Sequence, residues 1–279
     1  MAALSYCARQ VRDFDNDRFL ATLFADEAVR EDLFALYAFN LELAKIRETV
    51  SEPMIGRMRL QFWRDAVPGL ISGEPPSHAV AEPLSVCVRR AGIPAEELNA
   101  LIDARETDMD DIPPRDLSAL EDYAEKTSSS VMTLALRVLG EEPGRYRDLL
   151  RAAGIGTALV GLVRAIPYQA STGRVTLPAD LCQKAGLDPS QPHQWPRNPD
   201  VSSITGPLMM AAERHVRAAE QAGKGIGRRA LPAFLPLSLA ALYLKDLRKH
   251  DGDPGRHAAR PLGVKRQLTV FWRSLQGRV

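Results

Sequence analysis

Residues Asp26 to Asp65 read DEAVREDLFALYAFNLELAKIRETVSEPMIGRMRLQFWRD, and their spacing decides the fold class. Val29, Leu33, Leu36, Tyr37, Leu41 and Ala44 recur at helical intervals with charges between them, which predicts an amphipathic helix facing a core. Asp26 is placed to cap its start. Ser51-Glu52-Pro53 ends that helix and opens the next, because a proline ring fits a first helical turn and not a helix interior. The corner between the two helices is polar. Glu42, Lys45, Arg47, Glu48 and Glu52 come from one side, Arg57, Arg59, Gln61 and Arg64 from the other, which makes it a candidate site.

Working outward, the same period recurs and strand signals are nearly absent, so the fold class is all-α, with about eight to eleven helices. Residues 1–24 read as two short helices, the second over Arg18 to Phe24. Further helices are expected over Ala79 to Ala91, Ala95 to Asp111, Ser118 to Leu139, Leu149 to Ile166, Leu208 to Ala222, Leu231 to Lys249 and Val264 to Leu275. Ser118 with Glu121 forms a capping box for the third of these. Pro167 kinks or ends the helix before it, leaving Tyr168 to Pro178 as a connector. The Pro-rich stretch Gly186 to Asp200 reads as an excursion, because the helices on either side have similar composition, and residues 1–279 are expected to form one domain.

A chain of 279 residues buries about 75% of its unfolded surface, enough for a sizeable core. With 45% apolar and 25% charged residues it has the composition of a soluble globular protein. A net charge of +1, with basic and acidic residues interspersed, carries no electrostatic footprint for nucleic acid. Cys7, Cys87 and Cys182 suit a reducing compartment and form no metal motif. The N-terminus has no import-peptide pattern, since Asp13, Asp15 and Asp17 come early, and a cytoplasmic location is expected. The apolar run Ala230 to Leu244 is shorter than the ~20 residues that span a bilayer and contains two prolines. It reads as a core helix.

Several clusters admit two readings. Asp103, Thr107 and Asp110 share one helical face, as do Asp108 and Asp111, and such carboxylates either hold a hard cation or end a solvated helix. The acidic DFDND run, residues 13–17, lacks the glycine and distal glutamate of a calcium loop and reads as a solvated helix end. Thr127, Ser128, Ser129 and Ser130 either let helices pack closely or bond a ligand. Gly154, Gly156 and Gly161 fit close helix packing better than a phosphate loop, because no strand precedes them. His215 reads as structural, and no hydrolase, zinc, P-loop or Rossmann signature is present.

The opening stretch, together with GTALVGLVRAIPYQASTGRVTLP from Gly156 to Pro178, resembles the squalene/phytoene synthase family. The likeness extends to Leu101 to Leu139 and weakly to the last helices. It implies an isoprenoid synthase fold with a central cavity, in which two aspartate-rich helices bind magnesium and so neutralise the diphosphates of prenyl substrates. Laid on the family's first motif, this chain has Ala44 and Glu48 at the aspartate positions. On the second it has Ala165 and Gln169. Tyr37, Phe39, Tyr123, Arg164, Gly173, Arg174, Leu177 and Pro178 match the family frame. With Asn40 and Ser128, the positions Tyr37, Ala44, Glu48, Tyr123, Arg164, Ala165, Gln169 and Arg174 are the ones this resemblance places around a vestigial diphosphate cavity. Three of four carboxylates are replaced on this alignment, and Lys45 and Arg47 add positive charge beside Glu48, so neither catalysis nor a metal is expected.

The run from Phe34 to Asp65 and the block RAIPYQASTGRVTLPADLC are similar to the branch of the family that includes the mitochondrial complex I assembly factor. That resemblance implies a non-catalytic protein that contacts subunits or assembly intermediates of the NADH:quinone oxidoreductase through a surface around Ser51 to Arg64. It also implies a peripheral place on the inner face of the membrane and a cavity open to an isoprenoid lipid or diphosphate, which arginine binds without metal. The alternatives are a prenyltransferase whose magnesium ligands have moved to Glu48, Glu52, Asp103, Asp108 or Asp110, and a lipid or quinone carrier.

Overall fold

The computed structural model describes residues 4–110, 112–192, 201–258 and 262–279, with fourteen α-helices and no strand among them. Its centre is α3, Glu27–Lys45, in which every residue from Asp32 to Asn40 is buried. The sequence pattern predicts one buried face; the structure buries all sides of this segment, because α1 (Tyr6–Phe14), α5 (Ala81–Ala91) and α8 (Ser130–Val138) pack around it. Asp32 tolerates that position by pairing with Arg90 at 3.1 Å, although burial still raises its pKa. Asp26 caps α3 by accepting from the Ala28 amide, and Pro53 opens α4, Pro53–Ser72.

The second all-round buried helix is α12, Leu231–Lys249, where Leu231 to Ala240 are all buried, in agreement with a core role for the Ala230 to Leu244 run. It rests on α9, Arg147–Ser171, and on α2, Asn16–Thr22. α11, Ser202–Ala222, lies along α9. α14, Val264–Gln276, lies on α12. α6 spans Ala95–Ala104, α7 Leu117–Ala124, α10 Ala179–Lys184 and α13 Pro254–Ala258. One apolar core runs through all of this, with members from Cys7 to Val279 along the chain. The three cysteines are free and buried. Residues 143–171 are long and apolar enough to cross a membrane by composition, but 61% of their most apolar 18 residues are buried inside the fold.

Three expectations need correction. α9 does not stop at Pro167 but continues to Ser171. Proline removes one amide donor, and the last turn is held instead by the Thr172 amide on the Tyr168 and Gln169 carbonyls. The helix after Pro114 is capped by Asp116, whose carboxylate accepts from the Ala119 amide at 2.9 Å, and not by the Ser118 box. That helix is also interrupted by a wide π turn, Glu125–Ser129, between α7 and α8. The helix from Ala95 ends at Ala104, followed by a tight turn over Glu106–Met109. Asp111 and residues 193–200 of the Pro-rich stretch lie outside the described residues.

Candidate functional site

Two arginines that the sequence does not single out organise the interior. Arg18, on α2, pairs with Asp15 and lies over the Tyr37 ring, 5.5 Å from its centroid. Arg105, just past α6, donates to the Tyr123 hydroxyl at 2.9 Å and to Asn40 Oδ1 at 3.5 Å, and sits 3.6 Å from Asp108. Burial works against the Arg105 charge, but Tyr123 and Asp108 outweigh it and its pKa rises; Arg18 is near enough to oppose it. Burial likewise raises the Asp108 pKa against the pull of Arg105. Arg174 donates to the Asp108 carbonyl at 2.9 Å. Tyr37, Asn40, Tyr123 and Arg174 are thus brought together around Arg18 and Arg105.

A second centre forms on Asp17. Its Oδ1 accepts from the Tyr243 hydroxyl at 2.8 Å and from the Arg266 guanidinium, and its Oδ2 lies 3.7 Å from Arg164 Nη1. The Arg164 guanidinium stacks on the Tyr243 ring at 3.6 Å, and Arg266 also donates to Asn16 at 2.9 Å. The DFDND run is therefore not a solvated helix end: Asp15 caps α2, and Asp17 is the anion on which two arginines and a tyrosine converge.

At the polar corner the tight turn after α3, Arg47–Thr49, meets the end of α9. Tyr168, on α9, donates to Glu48 at 3.4 Å, which raises the Tyr168 pKa through the carboxylate charge. Gln169 turns back into its own loop and accepts from the Thr176 amide at 3.1 Å. Ala44 and Ala165 are half-buried on α3 and α9. Ser128 is buried within the π turn, where Thr127 bonds back to the Tyr123 carbonyl and Ser129 packs on α9. Asp103, Thr107 and Asp110 do not converge. Arg64 takes Asp103 and Glu106, each at 2.7 Å, and Arg57 takes Asp110. Among the described residues no group of three or more His, Cys, Asp or Glu side chains is arranged to hold a metal ion.

Tyr243 and Arg266 escaped the sequence reading, and Asp17 was read as solvated, because these groups are distant in the chain; Arg105 likewise meets Tyr123 and Asn40 only in the fold. Tyr243 lies 226 positions from Asp17, and no local spacing signals that contact.

Residues 11–267 match the squalene/phytoene synthase family. The chain belongs to that family. It is 35% identical over 248 residues, 89% of its length and 74% of the relative's, to NADH dehydrogenase (ubiquinone) complex I, assembly factor 6 from Bos taurus. It is 34% identical to the protein of the same name from Homo sapiens over 250 residues, with the same shares covered. A presqualene diphosphate synthase from Rhodopseudomonas palustris is 30% identical over 206 residues, 73% of each chain. Among solved structures, a dehydrosqualene synthase in complex with ligand superposes with a TM-score of 0.78 at 17% identity, covering 97% of this chain and 94% of that one. The fold is therefore kept over nearly the whole chain, and in it α3, α4 and α9 carry the segments that resemble the family most.

Proposed function

We propose that this member of the squalene/phytoene synthase family is a non-catalytic factor that serves assembly of respiratory complex I. The observation that carries the non-catalytic part is Asp17. A prenyl synthase interior needs its cations available to a diphosphate, whereas here Arg164 and Arg266 converge on a carboxylate of the chain itself. The assembly part is supported by the relatives named complex I assembly factor 6, which match 89% of this chain. The family alignment, which puts Ala44, Ala165 and Gln169 at carboxylate positions, supports the non-catalytic part. In this reading Tyr37, Asn40, Tyr123, Ser128 and Arg174 support a rigid interior rather than a reaction.

The partner surface in this reading is the outer face of α4, where Met54, Ile55, Met58 and Phe62 are exposed beside Arg57 and Arg59. Large apolar side chains grouped on one exposed helix face mark interaction sites.

Prenyl transfer with relocated ligands is the competing reading, supported by the presqualene diphosphate synthase relative. It is disfavoured because Glu48, Asp103, Asp108 and Asp110 are engaged separately by Tyr168, Arg64, Arg105 and Arg57. The two readings part on one experiment. The purified chain is incubated with farnesyl diphosphate and magnesium, and in parallel used to capture proteins from solubilised membranes of its own host. Recovery of complex I subunits without a prenyl product is expected; a magnesium-dependent product would overturn the proposal.

A further inference from the structure

α14 is inside out. Val264, Leu268, Phe271, Trp272 and Leu275 follow one another at helical spacing and share one face, and that face points to solvent, with exposures from 48% for Phe271 to 65% for Val264. The opposite face carries the charges and points inward. Arg266 is bonded to Asp17 and Asn16, Arg273 to Glu220 at 3.2 Å and to the Val279 carbonyl at 3.2 Å, and Val270 between them is fully buried. These ion pairs at both ends of the helix fix its rotation. It cannot roll its apolar face into the core without breaking them and taking their cations away from Asp17 and Glu220.

What covers the face is decided by charge. Between Gly263 and Val279 there are four basic residues, Lys265, Arg266, Arg273 and Arg278, and no acidic one. Arg266 and Arg273 serve the interior, whereas Lys265 and Arg278 are exposed near the two ends of the apolar face. A second copy of this helix placed against the first brings like charges together with no acid on either helix to pair them. An anionic bilayer supplies both requirements: an apolar layer for Leu268, Phe271 and Leu275, and negative headgroups for the two cations. Trp272 has the amphipathic ring that favours the membrane–water interface.

We infer that the outward face of α14 docks this protein on the surface of an anionic phospholipid bilayer, with the helix lying in the plane of the interface. This inference stands apart from the assembly role, because vesicle binding requires no other protein. It also accounts for an exposed Trp-Phe pair that the interior has no use for.

The test is co-sedimentation of the full chain with vesicles of phosphatidylcholine alone and of phosphatidylcholine with phosphatidylglycerol. Partitioning at least about tenfold stronger on the second kind is expected. The double variant Leu268→Glu/Trp272→Glu is expected to lower it by about tenfold or more, with circular dichroism unchanged because both side chains are exposed. The variant Lys265→Glu/Arg278→Glu, which leaves the apolar face intact, is expected to abolish the preference for phosphatidylglycerol. Absence of binding to the anionic vesicles, equal binding to both kinds, or equal binding by both variants and the parent would overturn the inference. So would a dimer of the parent chain that Leu268→Glu/Trp272→Glu converts to monomer, since a second copy would then cover the face.

Discussion

Asp17 joins helices that the chain separates by 226 and 249 positions, at Tyr243 and Arg266, and the account of the interior turns on it. Its side chain is 23% exposed, so its removal takes a carboxylate away from two partly buried guanidinium groups. Asp17→Ala is expected to lower stability by about 1–3 kcal/mol in urea unfolding. The same variant is expected to bind inorganic pyrophosphate at least about tenfold more tightly than the parent by calorimetry, because the Asp17 carboxylate then no longer competes for Arg164 and Arg266. Unchanged pyrophosphate affinity would show that the carboxylate does not occupy an anion site. A second test at this scale concerns the phenols. Burial raises the pKa of Tyr37 and of Tyr123 to about 12, with Arg18 and Arg105 respectively pulling the other way. In the unfolded chain they ionise near 10. Below that pH their contribution is intact; as pH rises from about 10 towards 12 the unfolded chain releases these protons first, and stability is lost. An absorbance titration should show both phenols ionising together with unfolding and later than exposed tyrosines. Of these residues Tyr37 and Tyr123 were legible in the sequence through the family frame, whereas Arg18, Arg105 and Asp17 were not, since a lone charge in a polar helix end looks solvated until its distant partner is known.

Helices, as elements, follow the apolar period closely, and the departures have local causes. The three glycines of α9 show this. A Cβ on Gly154 would fall 2.0 Å from Ser129 Oγ and 2.6 Å from its backbone, so the π turn of residues 125–129 seats directly on this glycine. A Cβ on Gly156 would meet Val216 and His215 of α11 at 3.2 and 3.3 Å. Gly161 has nothing within 4 Å, and so the expectation of close packing fails there. Opposite outcomes follow for one substitution type. Gly154→Ala should destabilise by about 1–3 kcal/mol through overpacking, and Gly161→Ala should stabilise by about 0.5–1 kcal/mol because alanine is the better helix former. Chemical denaturation of both variants checks the pair; equal signs would contradict the packing described. A π turn could not be read from KTSSS, because it depends on what α9 presents opposite it. Pro167 misled for the reverse reason: the rule that proline ends helices is a tendency, overridden here by the bonds that hold the last turn of α9.

At the scale of the whole molecule, the all-α class and the family frame were legible, the first from periodicity and the second from long matching segments on α3, α4 and α9. What was not legible was which faces stay uncovered, since a helix moment does not say which side meets the core. α14 shows the limit, with its charged face inward. The outer face of α4 shows the other case, exposing Met54, Met58 and Phe62 where the corner was expected to meet a partner. Met58→Asp/Phe62→Asp should leave folding close to the parent, because both residues are exposed, yet reduce capture of complex I subunits by about tenfold or more. The measurement that tests the central claim most directly is the amount of assembled NADH:quinone oxidoreductase, by native gel and by activity, in membranes of the host with this gene deleted. The account predicts that deletion depletes the assembled enzyme, that the parent chain restores it, and that a chain carrying Met58→Asp/Phe62→Asp does not. An unchanged level of assembled enzyme in the deletion strain would contradict it.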